Sequence, residues 1–66
     1  MNIGKSIEIM LIRKEWSKGE LQQKLNTSPS TITRLCASKT CTGIMQEKLA
    51  DIFDMEVSEF IAVGEG

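Results

Sequence analysis

The chain has no histidine and no tyrosine, one proline, one tryptophan, two phenylalanines and two cysteines. Each scarcity removes a class of protein. Without histidine the commonest acid–base group is missing, and two thiols would need carboxylates as further ligands to close a zinc site. There is also no glycine-rich phosphate loop and no acid pair on an evident cleft, so the sequence is not expected to be an enzyme or to need a cofactor. Two cysteines are too few for a disulfide-dense secreted fold. A Cys36–Cys41 disulfide is sterically conceivable, but both are read as reduced thiols, Cys36 as a small core residue. No apolar run approaches the roughly 18 residues of a membrane span. No basic region leads into a long apolar block and a cleavage site. The expectation is a cytoplasmic protein, at home in a bacterial-type cytosol or a phage-infected cell.

An excess of positive charge is lacking too: the net charge is −1 and the isoelectric point about 5.3. The distribution matters more than the sum. Residues 1–48 hold all eight Lys and Arg and four acids (Glu8, Glu15, Glu20, Glu47), a balance of +4, whereas residues 49–66 hold five acids and no base, a balance of −5. A fold with a basic two-thirds and an acidic tail can present one positive face, although two ordinary solvated faces would read the same way. At 66 residues, 41% of them hydrophobic, the whole chain is expected to form one domain with a single core. A chain of this size buries only about 60% of its unfolded surface, so its stability margin is thin.

What is present is helical periodicity. Asn2 can cap a first helix in which Ile3, Ile7, Met10, Leu11 and Lys14 recur at helical spacing, with Ile9 and Ile12 off the stripe. "SKGE", Ser17 to Glu20, is a capping box opening a second helix from Lys18 to about Leu25. Asn26 tolerates the left-handed conformation of a helix end. Ser28 is an N-cap and Pro29 occupies the first helical position, where its missing N–H is no loss. The third helix then runs to about Ala37, with Ile32, Leu35 and Cys36 on one side and Ser30, Thr33, Arg34 and Ala37 on the other. Thr42 can cap a fourth helix whose apolar stripe is Met45, Leu49, Ile52 and Phe53. Asp54 and Met55 make a turn, and a short fifth helix takes Val57 to about Ile61, with Phe60 and Ile61 facing in. Residues 64–66 read as a frayed tail. The expected fold class is all-α, five short helices and no sheet.

Two helices joined by a tight turn, with apolar residues at Leu21, Leu25, Ile32 and Leu35, have the spacing of a helix-turn-helix over about residues 18–37. "WSKGELQQKLNTSPSTITRLCASKT" resembles the core of the Cro/cI-type (XRE) repressor family, and "LADIFDMEVSEFI" is similar to that family's last two helices. The resemblance covers roughly residues 5–61 and implies a compact lambda-repressor-like domain. It implies that helix three enters the DNA major groove while helix two crosses the backbone. By position, Ser28, Pro29, Ser30, Thr33 and Arg34 match the base- and phosphate-facing residues. Lys18 matches the phosphate-facing start of helix two, and Lys39 and Thr40 match the loop that follows helix three along the backbone. The chemistry agrees: arginine can pair bidentately with guanine, and short hydroxyl residues can bond donors or acceptors. A merely structural exposed face would sooner carry Glu, Lys or Ala, because hydroxyl residues weaken a helix interior.

The sequence departs from the family pattern at several places. Gln22 stands where alanine is usual, and Asn26 and Ser38 replace glycines. Leu11 and Cys36 occupy positions where many members carry a buried Arg–Glu pair, which implies an apolar contact in its place. The expected function is sequence-specific binding of double-stranded DNA as a transcriptional regulator, a phage- or prophage-type repressor acting as a homodimer on its operator. No membrane or small-molecule partner is expected. The competing reading is an antitoxin or other protein-interaction module on the same scaffold, against which stands the lack of a segment beyond the five helices.

Overall fold

The helices of the computed structural model, which describes residues 1–65, begin where the sequence offers caps. α1 (Ile3–Lys14), α2 (Lys18–Leu25), α3 (Pro29–Ala37) and α4 (Gly43–Ile52) start behind Asn2, Ser17, Ser28 and Thr42. In each case the cap side chain accepts an amide of the first turn, from Lys5, Glu20, Thr31 and Met45 respectively. The box at Ser17 is complete, since the Ser17 amide also donates to Glu20 Oε1 at 3.4 Å. α5 (Val57–Glu65) opens with Glu59 Oε1 accepting from the Glu56 amide at 3.2 Å. Glu15, Asn26 and Asp54 turn the chain with positive φ (59°, 54° and 57°).

The apolar stripes meet in one core. Ile3, Ile7, Met10 and Leu11 of α1 are buried with Leu21, Ile32, Leu35, Leu49, Phe53 and Phe60. Ala50 joins them, although the periodicity had not singled it out. Lys14, at the end of the α1 stripe, is exposed. Ile9 is half-buried and Ile12 is 77% exposed, as their off-stripe positions predict. Trp16, Phe53 and Phe60 stack in series, with ring centroids 5.5 and 5.8 Å apart, and Lys24 Nζ lies 4.6 Å over the Trp16 ring. Leu11 is buried and Cys36 packs half-buried against the same core, which joins α1 to α3.

The expected fraying of residues 64–66 is corrected for the first two. α5 continues through Glu65 with Gly64 buried, and Gly66 lies outside the described residues. Glycine is a poor helix former, so the sequence read as a stop. Its value here is non-local: a Cβ on Gly64 would run into the Asn2 carbonyl and Ser6 Oγ, so the missing side chain lets α5 close against the start of α1. The same contact leaves Ser6 Oγ fully buried with no hydrogen-bond partner among the described residues. Opposite effects are therefore expected from two alanines. Ser6→Ala should raise stability by about 1 kcal/mol, because an unsatisfied buried hydroxyl is removed, and Gly64→Ala should lower it by about 1–3 kcal/mol by overpacking. Urea unfolding of both variants checks this, and a loss of stability in Ser6→Ala would mean that the hydroxyl has a partner after all.

Candidate nucleic-acid interface

The turn between α2 and α3 is set locally. Asn26 in the left-handed region ends α2, Ser28 adopts an extended backbone as the next N-cap, and Pro29 begins α3. This leaves Ile32 and Leu35 buried and turns Ser30, Thr33, Arg34 and Ala37 to the outside. The glycine usual in this turn is not required, because asparagine supplies the positive φ. Gln22, expected either to turn outward or to spread the two helices, is half-buried with α2 and α3 in contact.

The hydroxyl groups of α3 are not all free to bond a ligand. Ser28 Oγ lies 3.0 Å from both Ser30 Oγ and Thr31 Oγ1 and accepts the Thr31 amide at 3.4 Å. A hydroxyl has one donor and two acceptor sites, so Ser28 is saturated. It donates to one of its neighbours and accepts from the other, and the trio presents one free O–H. Thr33 Oγ1 donates to the Pro29 carbonyl at 3.1 Å, so in this rotamer it offers only acceptor capacity and a methyl group. Arg34 is exposed, and its guanidinium has no hydrogen bond or ion pair among the described residues.

The segment after α3 is pinned from three sides. Ser38 Oγ donates to the Arg34 carbonyl at 2.6 Å. The first two amides of α1, Ile3 and Gly4, donate to the carbonyls of Lys39 and Ser38 at 3.0 and 2.8 Å. Gln46 Nε2 donates to the Cys41 carbonyl at 3.0 Å. Ser38 is extended at φ −94°, so this position does not require glycine either. Gly4 does have to be glycine, because a Cβ there would collide with the Cys36 carbonyl. Gly4 and Gln46 thus hold a segment that the sequence reading assigned only to Lys39 and Thr40. A glycine inside the first helix was the available signal for such a close approach.

Arg34 and Thr40 line one open groove of about 280 Å³ with Ser38, Cys41 and Thr42. Lys39 is exposed beside it, and Lys18 is exposed at the start of α2 without lining it. Ser28, Pro29 and Ser30 stand exposed at the opposite end of α3. Both cysteines are free thiols. Burial pushes the Cys36 thiol up from its ordinary value, with Lys18 opposing and Glu8 adding, and burial alone pushes Cys41 up. The thiols are therefore held neutral and are poor nucleophiles at neutral pH. No helix among the described residues is long and apolar enough to cross a membrane.

The family model described as the Cro/C1-type HTH DNA-binding domain matches residues 6–63. No match was found among curated proteins or solved structures.

Proposed function

The chain belongs to the Cro/C1-type helix-turn-helix DNA-binding domain family, and from that premise we propose a sequence-specific regulator of transcription, a phage- or prophage-type repressor. In this reading α3 lies in the major groove of double-stranded DNA, Arg34 reads a guanine edge, and Thr33 presents its methyl or an acceptor to a neighbouring base. The free O–H of the Ser28–Ser30–Thr31 trio and the amide of Ser30 behind Pro29 take a phosphate oxygen. Lys18, Lys39 and Thr40 follow the backbone on either side. The observation that carries the proposal is the outer face of α3. It places an unpartnered guanidinium among short hydroxyl side chains, on a helix whose other face is fixed in the core. One module touches too few bases for tight selection, so the protein acts as a homodimer on two half-sites about 34 Å apart.

A salt titration of binding to random double-stranded DNA tests the reading. Affinity should fall steeply with salt, because phosphate contacts release counterions. Lys18→Ala and Lys39→Ala should each lower the slope by about one. Binding that is absent, or insensitive to salt, would favour a protein partner for the same scaffold.

A further inference from the structure

Two of the surface grooves are charged along much of their length. The groove between α2 and α4 carries Lys24, Lys48 and Asp51, and the one at the turn into α5 is lined by the carboxylates of Asp51, Asp54, Glu56 and Glu59. The groove of about 280 Å³ between α3 and the start of α4 is built differently. Its floor is apolar: Leu35 is buried, and Cys41 and Met45 are half-buried. Arg34 is its one charged member among the described residues.

Most polar groups around this floor are already engaged. Thr31 Oγ1 bonds Ser28 Oγ at 3.0 Å, Ser38 Oγ donates to the Arg34 carbonyl, and Thr42 Oγ1 accepts the Met45 amide at 3.3 Å. The guanidinium of Arg34 and the hydroxyl of Thr40 have no hydrogen bond among the described residues. The walls are held before any ligand arrives, because Gln46 bonds the Cys41 carbonyl and α1 bonds the carbonyls of Ser38 and Lys39. A preformed apolar hollow with a few free polar groups is the usual form of a small-molecule site.

The geometry points to a binding site for a small organic carboxylate with a short hydrocarbon body, its head paired with Arg34 and its chain lying on Leu35, Cys41 and Met45. A guanidinium is a planar two-donor fork that matches a carboxylate, and Thr40 has an O–H to donate to the same head. A bare phosphate satisfies the charge but leaves the apolar floor in water, whereas a neutral hydrocarbon covers the floor and leaves the guanidinium without a partner. The volume sets the length: at roughly 30 Å³ per water-sized group, 280 Å³ takes about nine heavy atoms, a fatty acid of about six to eight carbons. The consequence for regulation rests on the proposed function. Arg34 paired with a carboxylate is withdrawn from a guanine edge, so the ligand weakens operator binding.

Alkylation of the two thiols by iodoacetamide at alkaline pH, in the whole protein without DNA, tests the site apart from any DNA-binding reading. Cys41 lines the groove and Cys36 does not, and both are half-buried, so Cys36 is an internal reference. Octanoate at about ten times its Kd should slow Cys41 about tenfold relative to Cys36. The half-effect should fall near 1 mM, roughly the affinity that about nine atoms support. Hexanol and inorganic phosphate at the same concentration should each protect Cys41 less than about twofold, since each satisfies only one half of the site. Arg34→Ala, verified as folded by circular dichroism, should raise the half-effect of octanoate at least about fivefold. Octanoate should also lower the affinity of the wild type for its operator over the same range. No selective protection of Cys41, equal protection by hexanol or phosphate, or an unchanged half-effect in Arg34→Ala would each overturn the site. Protection without any loss of operator affinity would overturn its regulatory consequence. A protein that binds no DNA while octanoate still shields Cys41 would leave the site standing and strike the proposed function.

Discussion

Leu11→Ala should lower the stability of the fold by about 2–5 kcal/mol, the range for a buried leucine truncated to alanine. Leu11 is 6% exposed and belongs to the single core to which α1 and α3 both contribute. A domain of this size has a total stability of roughly 3–10 kcal/mol, so the change would remove a large part of it and leave a substantial unfolded fraction near body temperature. Many relatives in the resemblance carry a charged pair where this chain has Leu11 and Cys36. The apolar replacement avoids the desolvation of two ions, and apolar packing then joins the bonds from the Ile3 and Gly4 amides to Lys39 and Ser38 in holding α1 to α3 and the segment behind it. Ile12→Ala is the matched control: the next residue on the same helix is 77% exposed, so its truncation should stay within about 0.5 kcal/mol. Urea unfolding of the two variants decides the matter. A Leu11→Ala protein less than 1 kcal/mol weaker than Ile12→Ala would mean that the α1–α3 seam collapses around the missing side chain.

How much of this was legible in the sequence depends on the range of the interaction concerned. Caps are local events, and Asn2, Ser17, Ser28 and Thr42 act where the sequence places them. The outer face of α3 was legible for a similar reason: a spacing of three and four residues assigns Ser30, Thr33, Arg34 and Ala37 to one side whatever the helix packs against. Contacts between distant segments were not legible. Residues 64–66 read as a frayed tail because helix propensity is a local quantity, while the role of Gly64 is to admit the start of α1. Gly4 has no part in the apolar stripe of α1, yet its amide and its missing Cβ fix the backbone around Ser38, more than thirty residues away. Hydroxyl chemistry sits between these cases. Their presence on α3 could be read, but not that Thr33 turns its O–H back to Pro29, because that depends on a rotamer.

The pinning of the loop bears on how contacts of different kinds would divide the work. A phosphate contact from Lys39 is useful for register only if its backbone is held relative to α3. The bonds from Ile3 and Gly4 of α1, from Ser38 to the Arg34 carbonyl, and from Gln46 to the Cys41 carbonyl provide that hold. In the proposed docking Arg34 would meet the groove at a depth set by the backbone contacts on both sides of it, so that positioning and reading combine.

On that footing Arg34→Ala should cost about 1–3 kcal/mol at the preferred operator and relax the choice at one base position, while binding to scrambled DNA changes far less. In affinity this is about five- to 150-fold at the operator. The fold should be untouched, because Arg34 is exposed and its side chain bonds nothing else among the described residues. Arg34→Lys sharpens the test. Lysine keeps the charge and the reach to a phosphate but not the planar two-donor fork. It should therefore keep binding to scrambled DNA near the wild-type level without restoring discrimination at that base. Lys39→Ala should do the reverse, weakening every sequence alike. The measurement is a set of binding isotherms for the three variants on an operator selected from a random pool and on its scrambled counterpart, at one fixed salt concentration. If Arg34→Ala loses the same factor on both DNAs, and Arg34→Lys recovers both, then Arg34 holds only a phosphate. Sequence discrimination would then fall to Thr33 and Ser30, the remaining hydroxyl side chains on the exposed face of α3.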